Sequence, residues 1–385
     1  MSKDLDFRYP ALSDLRRKAK ARMPYFAFEY LDSATGRELG AQTNARALDA
    51  VQFLPSILKG QIQPDLRCNV MGRQYQYPFG IAPVGMSGML WPGGEAILAR
   101  CARTHNIPYC LSTVTVATPE DIGPIACDNG WFQLYPPHKK DVMHDMLRRV
   151  KEQGFDKLVV TLDVPGESRR ERQRRARLTT PLRLNVKMIW SILTHPAWSL
   201  GMAWHGKPNM PFVESYLSEE ERSSDAFMHA GRVIRGYPDW AYMQALRDAW
   251  DGDLIAKGVM DAQDAKRLAA MGVDGIWVSN HSARQFEGGP ASITQLPKIR
   301  EALGPDIPIF FDSGVTSGLD IMRALALGAN FVFLGRSFHY ALCALGEQGV
   351  EHFIHILRAD MTANMLQIGT PTLADLKSRL HNWSD

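Results

Sequence analysis

The sequence lacks the features that mark secreted, membrane-spanning and nucleic-acid-binding proteins. Its five cysteines are scattered and form no CxxC pair, so neither a disulfide framework nor a metal site is expected. Lys and Arg number 44 against 41 Asp and Glu, and this near balance gives no general attraction to nucleic acid. No apolar run approaches the ~20 residues that span a bilayer, and the first residues contain no apolar stretch of a secretory signal. We therefore expect a cytoplasmic protein with reduced thiols.

What the sequence does contain is an alternation of short apolar runs and helical stretches from Phe79 onward. A continuous apolar run indicates a strand buried on both faces, as in parallel sheets. Eight such runs occur, at 79–83, 107–112, 131–135, 158–163, 254–257, 275–279, 307–312 and 331–335. Eight β/α units predict an α/β fold closed into a (β/α)8 TIM barrel. No GxGxxG follows the first run, which disfavours a Rossmann domain.

We expect one domain over residues 1–385, with two additions to the barrel. Residues 1–78 form an N-terminal extension that is partly helical between about Leu12 and Ser33. Residues 166–240 form an insertion after the fourth strand, and a loop of that length at the catalytic end of a barrel is usually functional. This insertion is predicted to be a lid.

Polar or small residues end almost every predicted strand. Catalytic groups of (β/α)8 enzymes lie at the carboxyl ends of the strands, so the pattern predicts an active site there. These residues are Ser112, Gln133, Tyr135, Thr161, Asp163, Lys257, Ser279, His281, Asp312, Gly335 and Arg336.

Two of the strand ends carry the strongest indication of chemistry. His281 directly follows a buried strand and can take a proton near neutral pH. Arg284, three residues later, can hold a carboxylate with two hydrogen bonds. A lone histidine at a strand end is often structural, and the neighbouring arginine favours the catalytic interpretation. Lys257 permits two interpretations, a buried cation facing an anion or a surface lysine whose ammonium reaches solvent.

The last two strands end in residues suited to a phosphate. Asp312 and Gly314 follow the seventh strand, and Gly335 and Arg336 follow the eighth. In barrel enzymes the loops after these two strands often hold a phosphate group, because glycine lets the backbone approach and arginine supplies charge. The pair of segments therefore predicts a phosphate-bearing ligand.

Together these motifs resemble those of the FMN-dependent 2-hydroxy-acid oxidases and dehydrogenases. The resemblance runs over about residues 30–336, and residues 312–340 are most similar to the L-lactate dehydrogenase branch. The segments that carry it are 81–86, 131–135, 161–163 with Arg169 and Arg170, 257–259, 279–285, 312–315 and 335–336. The resemblance implies FMN as cofactor and oxidation of a small, lactate-like L-2-hydroxy acid to the 2-keto acid, with the flavin as hydride acceptor.

The resemblance also implies a role for each matching residue. His281 would be the base for the substrate hydroxyl proton or, in the alternative scheme, for the C2 proton, and Asp163 would orient it. Tyr135 would bond the substrate oxygen at C2, and Lys257 would lie at the flavin N1/O2 edge. The substrate carboxylate would be bound by Tyr30, Arg170 and Arg284. The cofactor would be lined by Pro83, Val84, Gly85, Ser112, Gln133, Thr161, Lys257, Ser279, Asp312, Gly314, Gly335 and Arg336.

The chain departs from the family pattern at several of these segments. Ser282 and Ser313 stand where the family usually has glycine, and Thr316 stands where an arginine usually reaches the FMN phosphate. Ser282 can crowd its loop or add a hydrogen bond. The missing arginine at Thr316 is the one feature that favours a catalytically inactive barrel serving as a binding or scaffold protein. Gly85 is often alanine in the oxidases, which either favours a dehydrogenase or reflects a backbone requirement.

The insertion carries two further patterns. Residues 169–177 are densely basic without stacking aromatics, so apart from the two arginines near the site we expect a solvated flank and no nucleic-acid partner. Residues 186–204 place tryptophans among apolar and basic residues, which suits either a membrane interface or a lid packed on the barrel or on another subunit. Membrane-bound relatives carry such a segment here.

These patterns leave the electron acceptor and the assembly open. Peripheral attachment to the cytoplasmic face of the membrane would make a quinone the natural acceptor. The alternative is an oxidase that passes electrons to oxygen and produces hydrogen peroxide. By resemblance, a homotetramer is expected.

Overall fold

The computed structural model describes residues 3–178, 185–221, 233–234 and 236–381. Eight parallel strands form a closed barrel in which each strand pairs with its neighbours in the chain. The last strand closes on the first, with Val332 opposite Phe79. This arrangement confirms the predicted (β/α)8 barrel.

An N-terminal extension precedes the barrel. Its elements are α1 Lys3–Arg8, α2 Leu12–Arg22, α3 Tyr25–Asp32, α4 Leu39–Asp49, β1 Gln52–Phe53, β2 Cys68–Val70 and β3 Arg73–Tyr75. The region predicted to be helical is two helices, because Met23 precedes Pro24 and takes an extended conformation that ends α2. The β2–β3 hairpin closes the amino end of the barrel, where Trp131 Nε1 donates to Tyr75 Oη at 3.2 Å.

The barrel strands and their helices follow in alternation. They are β4 Phe79–Ile81, α5 Ser87–Leu90, α6 Gly94–Thr104, β5 Tyr109–Ser112, α7 Pro119–Ala126, β6 Gly130–Leu134, α8 Lys140–Glu152 and β7 Lys157–Thr161. After the insertion come α13 Trp240–Ala249, β8 Asp253–Val259, α14 Ala262–Ala270, β9 Gly275–Val278, α15 Ser292–Leu303, β10 Ile309–Phe311, α16 Gly318–Ala326, β11 Phe331–Leu334 and α17 Arg336–Leu345. The chain ends with α18 Glu347–Ile368 and β12 Leu380–His381, which pairs with β1.

The barrel interior is filled by large aromatic side chains. Trp131, Trp277, Phe310, Phe331 and Phe333 are fully buried, and the Trp277 and Phe333 rings stack with their centroids 4.2 Å apart. A second, larger apolar layer lies between the strands and the surrounding helices. Because both faces of each strand are buried, the strands are continuously apolar, which is why they could be predicted.

The described part of the insertion is helical and packs on the N-terminal extension. Its helices are α9 Glu171–Arg175, α10 Val186–Leu193, α11 Pro196–His205 and α12 Pro211–Glu214. Trp198 of α11 is buried, contacts the Phe26 ring edge to face, and donates from Nε1 to the Met89 carbonyl at 3.0 Å. Among the described residues no helix is both long and apolar enough to cross a bilayer.

Candidate active site

A cavity of about 1270 Å³ opens at the carboxyl end of the barrel strands. Most of the predicted site residues line it: Tyr30, Pro83, Val84, Gly85, Gln133, Tyr135, Thr161, Arg170, Lys257, His281, Arg284, Asp312, Gly314, Gly335 and Arg336. Ser112, Asp163 and Ser279 do not line the cavity and lie directly behind residues that do. The barrel therefore brings the predicted residues together in one place.

His281 and Asp163 form a pair at the cavity wall. His281 Nδ1 lies 3.2 Å from Asp163 Oδ1, and both side chains are largely buried. Burial opposes ionisation of Asp163, but the charge and hydrogen bond of His281 hold the pKa of the carboxyl below its usual value. Asp163 is thus a carboxylate at neutral pH and fixes one nitrogen of the imidazole.

Gly258 makes room for this pair. Strand β8 continues past Lys257 to Val259, with an irregularity in its register at Gly258. Gly258 has φ +97°, and a Cβ there would lie 2.6 Å from the Cβ and Cγ of Asp163. A residue with a side chain would therefore displace the carboxylate that orients His281.

Lys257 is an interior cation, so the interpretation as a surface lysine is wrong. Its side chain is buried, and Nζ donates to Ser279 Oγ and to Asp312 Oδ2, both at 2.7 Å. Trp277 Nε1 also donates to Asp312 Oδ2 at 3.1 Å. The contact with Asp312 offsets part of the cost of burying this side chain inside the barrel mouth.

Among the described residues five arginines line the cavity, and three of them, Arg170, Arg284 and Arg336, are predicted to bind substrate or cofactor. Burial first, and then the neighbouring charges of Arg170 and Arg336, lower the pKa of Arg284 to about 9. Arg284 donates to the backbone carbonyls of Tyr30, Leu31 and Ser33 at 2.8–2.9 Å. Within the described residues none of the three arginines forms an ion pair with a carboxylate. The positive charge that they concentrate favours binding of an anion.

The residues present fit an FMN. Ser112 Oγ donates to Gln133 Oε1 at 2.9 Å, while Gln133 Nε2 is buried and has no hydrogen-bond partner in the described structure. A Cβ at Gly85 would lie 3.3 Å from Tyr30 Oη and 3.1 Å from the Val114 carbonyl, so the glycine keeps that passage open. An unpartnered amide donor, a buried lysine and a glycine-lined slot suit a flat, polar ring system.

The predicted phosphate end is formed by two helix N-termini. Helix α17 begins at Arg336 directly after Gly335, and both residues line the cavity. At the start of α16, Thr316 lines the cavity, but its backbone N–H and hydroxyl both donate to Asp320 Oδ2 at 2.9 Å. Since Asp320 already occupies those donors, Arg336 and the first turn of α17 are the better phosphate site.

Sequence reasoning missed a charged cluster, most of which lines the cavity. Arg172, expected to be a solvated flank, instead pairs with Glu29 at 2.6 Å, Asp32 at 2.9 Å and Glu38 at 3.2 Å. Asp32 also binds Arg16 and accepts from Tyr340 Oη at 2.7 Å. A long-range ion pair leaves no periodic signal, so nothing in the sequence separated Arg172 from its exposed neighbours.

Comparison with known proteins gives one family. The family model of FMN-dependent dehydrogenases matches residues 19–382. An L-lactate dehydrogenase of Vibrio parahaemolyticus is 35% identical over 367 residues, which cover 95% of this chain and 97% of that protein. An L-lactate dehydrogenase of Ectopseudomonas mendocina is 33% identical, with 96% and 98% covered.

Solved structures of similar proteins also cover nearly the whole chain. The monotopic membrane protein (S)-mandelate dehydrogenase superposes with a TM-score of 0.91 at 33% identity, covering 97% of this chain and 99% of that chain. A mandelate oxidase superposes with a TM-score of 0.81 at 28% identity, covering 97% and 98%.

Proposed function

The chain belongs to the FMN-dependent dehydrogenase family, and on that premise we propose that it oxidises a small, lactate-like L-2-hydroxy acid to the 2-keto acid. The observation that carries the proposal is the placement of His281, Arg170 and Arg284 around one cavity that accommodates FMN. A proton acceptor beside a site for an anion is what oxidation of a hydroxy acid requires. FMN, when bound, supplies the acceptor for the hydride equivalent.

His281 is proposed to take the proton of the substrate hydroxyl. The imidazolium that results is stabilised by Asp163, which is ionised at neutral pH and lies 3.2 Å from Nδ1. Because Nδ1 is held by Asp163, the other ring nitrogen is available to the substrate. One imidazole nitrogen thus bonds the carboxylate and the other faces the substrate, as expected for a histidine that acts as a general base.

Arg170 and Arg284 are proposed to share the substrate carboxylate unequally. Arg284 donates through both terminal nitrogens to backbone carbonyls, so it contributes mainly positive charge. Arg170 bonds Ser168 through Nε, and among the described residues its two terminal nitrogens have no partner. Arg170 is therefore better placed for a two-point contact, with the hydroxyl of Tyr30 as a third donor.

Tyr135 and Lys257 are proposed to act as fixed donors. Burial, and then the negative charge of Asp163, raise the pKa of Tyr135, so its hydroxyl keeps its proton and can donate to the substrate oxygen at C2. Lys257 would lie at the N1/O2 edge of the flavin, where a cation stabilises the negative charge of the reduced ring. Ser112, Ser279 and Thr161 would support the ring from behind.

A steady-state assay with an artificial dye as acceptor tests this proposal. L-Lactate and (S)-mandelate are compared with their D and R enantiomers, and the keto acid is measured directly. Turnover of one L-series acid with little turnover of its enantiomer is expected, since two arginines and a base fix the hand of the substrate. Failure of FMN-loaded protein to turn over any 2-hydroxy acid would refute the proposal.

The acceptor has two candidates, and each has an observation in its favour. Six large apolar residues of α10 and α11 are exposed: Val186, Ile189, Trp190, Leu193, Leu200 and Trp204. We call this set the apolar insertion face. Such a face beside Lys187 suits insertion into a membrane interface, and the similarity to a monotopic membrane protein supports it. We propose peripheral membrane binding with a quinone as acceptor.

The likeness to a mandelate oxidase favours oxygen as the electron acceptor instead. Oxygen uptake during turnover separates the two candidates.

Membrane binding can be measured by co-sedimentation with anionic vesicles. The double variant Trp190→Ser/Trp204→Ser should lose most of its vesicle binding while its dye-linked turnover stays the same, because both side chains are exposed and neither lines the cavity. Phe7→Ser, which removes an exposed aromatic residue of α1, serves as the control. Equal vesicle binding by all three proteins would exclude the apolar insertion face as the membrane contact.

The cytoplasmic location and tetrameric assembly remain part of the proposal. The five cysteines are free, as expected for a reducing compartment, and Cys127 is exposed. An impermeant maleimide should therefore label Cys127 only after the cells are lysed. Light scattering of detergent-free protein should give a mass four times that of one chain.

A further inference from the structure

The loop that carries His281 has an unfavourable backbone conformation. His281, Ser282 and Ala283 have φ values of +55°, +54° and +55°. For residues with a side chain this left-handed region is sterically costly, and three in succession are rare. A loop of this kind persists only where surrounding contacts hold it.

Serine hydroxyls at the ends of β9 and β10 supply three of the contacts that hold the loop. The backbone N–H of Ser282 donates to Ser313 Oγ at 3.0 Å, and that of Asn280 donates to the same oxygen at 3.3 Å. The N–H of His281 donates to Ser279 Oγ at 3.1 Å. Each of these amides is thus anchored by an oxygen from outside the turn.

Asp312 fixes the direction of the Ser313 hydroxyl. Ser313 is buried, and its only proton is donated to Asp312 Oδ1 at 2.7 Å. With that proton committed, the Ser313 oxygen can act only as an acceptor toward Asn280 and Ser282. The same carboxylate binds Lys257, so one residue orders both the loop and the lysine.

We propose that Ser313 is a positioning residue for His281 and that its hydroxyl compensates for the side chain at Ser282. A glycine at 282 would take φ +54° without strain. In this chain the serine at 282 makes the turn costly, and the serine at 313 supplies the bond that keeps it. The inference rests on the proposed role of His281 as the base.

The first test compares three variants of the FMN-loaded enzyme. Ser313→Ala removes the hydroxyl and keeps Cβ, so kcat should fall about tenfold, equivalent to about 1.4 kcal/mol, while KM and the FMN dissociation constant stay the same. In the double variant Ser282→Gly/Ser313→Ala most of that loss should be recovered, because glycine removes the strain at the one turn residue whose amide Ser313 binds most closely. A merely structural role of Ser313 would give no such recovery.

Ser292→Ala is the matched control. Ser292 is equally buried and donates to the Asp312 carbonyl at 3.0 Å, but its hydroxyl does not contact the His281 loop. It should leave kcat within twofold. If Ser292→Ala lowers kcat as much as Ser313→Ala, the effect belongs to the whole Asp312 turn and the proposal is wrong.

Hydrogen exchange of residues 280–285 gives a readout that does not need turnover. Ser313→Ala should accelerate exchange of this segment about tenfold, and Ser292→Ala should not. If the wild-type protein oxidises no hydroxy acid but this pattern is seen, the proposed function fails while the anchoring by Ser313 stands. Unchanged exchange in Ser313→Ala would overturn the anchoring itself. Should Ser313→Ala fold poorly, Ser313→Gly removes the hydroxyl without strain at φ +88° and tests the same point.

Discussion

Two walls of the same cavity are built in different ways. The barrel wall contains Lys257, His281 and Asp312, which lie at the ends of neighbouring strands. Side-chain hydrogen bonds join Lys257 to Asp312 and His281 to Asp163. The opposite wall is formed by α3, which carries Tyr30, and by the start of α9, which Arg170 directly precedes. Ion pairs of Arg172 on α9 with the buried acids Glu29 and Asp32 of α3 join the two helices. The barrel wall is held by strand pairing as well as by side-chain contacts, whereas α3 and α9 of the other wall are joined by ion pairs, so the stability of that wall depends more on pH.

The comparison of the two walls predicts that substitutions in the barrel wall cause the largest loss of activity. His281→Gln removes the proposed base and should lower kcat about 10³-fold, within the range for general base catalysis. The FMN absorbance of the purified protein should be unchanged, because His281 is not needed to hold the ribityl phosphate. His205→Gln, an exposed histidine on α11, is the control. Residual activity within tenfold of wild type would remove His281 from the base role.

Asp163→Asn should have a smaller effect on the same wall. It keeps the size of the side chain but removes the charge that stabilises an imidazolium at His281. We expect kcat to fall roughly a hundredfold, with KM nearly unchanged because the two-point contact to the substrate carboxylate is assigned to Arg170 on the other wall. A loss confined to KM would place Asp163 in substrate binding instead.

The wall formed by α3 and α9 is called the charged wall. A substitution in it should lower the stability of the protein more than its catalytic activity. Arg172→Ala leaves Glu29 and Asp32, both buried, without one of their cations, and should lower the free energy of unfolding by roughly 3 kcal/mol. Urea unfolding measures this loss. Arg175→Ala, an exposed arginine on the same helix, should stay within about 0.5 kcal/mol of wild type. Equal effects of the two variants would mean that the cluster does not hold the wall.

The smallest expected effect is the loss of folding stability that the charged wall causes at acid pH. Burial opposes ionisation of Asp32, but hydrogen bonds from Arg16, Tyr340 and Arg172 lower its pKa to about 2. A carboxyl whose pKa is lower in the folded state stabilises the protein above its unfolded pKa of about 4, and this contribution is lost as pH falls toward 2. The loss should be about 2 kcal/mol, at 1.36 kcal/mol per pKa unit.

Asp32→Asn checks this assignment. The variant should be less stable than wild type at neutral pH and should show a smaller further loss between pH 4 and 2. An acid transition identical to that of wild type would assign the effect to other carboxylates.

The two walls also differ in how far they could be predicted. The barrel wall follows from local pattern, because each catalytic candidate ends a continuous apolar run or stands within two residues of its end. Two details of this wall could not be predicted from the sequence. Strand β8 runs beyond Lys257 through Gly258, and the hydrogen bond from Ser282 to Ser313 joins residues that follow different strands. The charged wall was missed, since Asp32 and Arg172 lie 140 residues apart in the chain. Charge pairing over such a separation has no period along the sequence.

The family and the FMN cofactor were predicted from short motifs and are confirmed by the match over residues 19–382. The roles of individual site residues stay predictions. The scaffold alternative, which depended on Thr316, is disfavoured by the similarity to L-lactate dehydrogenases over nearly the whole chain. Arg336 and the first turn of α17, which line the cavity, are the proposed phosphate site.

The most direct test of the central claim is the absorbance of the FMN-loaded protein, followed without oxygen while L-lactate and then (S)-mandelate are added. The flavin band should bleach with an L-series acid, barely change with its enantiomer, and bleach about 10³-fold more slowly in His281→Gln. A band that no 2-hydroxy acid bleaches, in protein that holds FMN, would contradict the assignment of this cavity to hydroxy-acid oxidation.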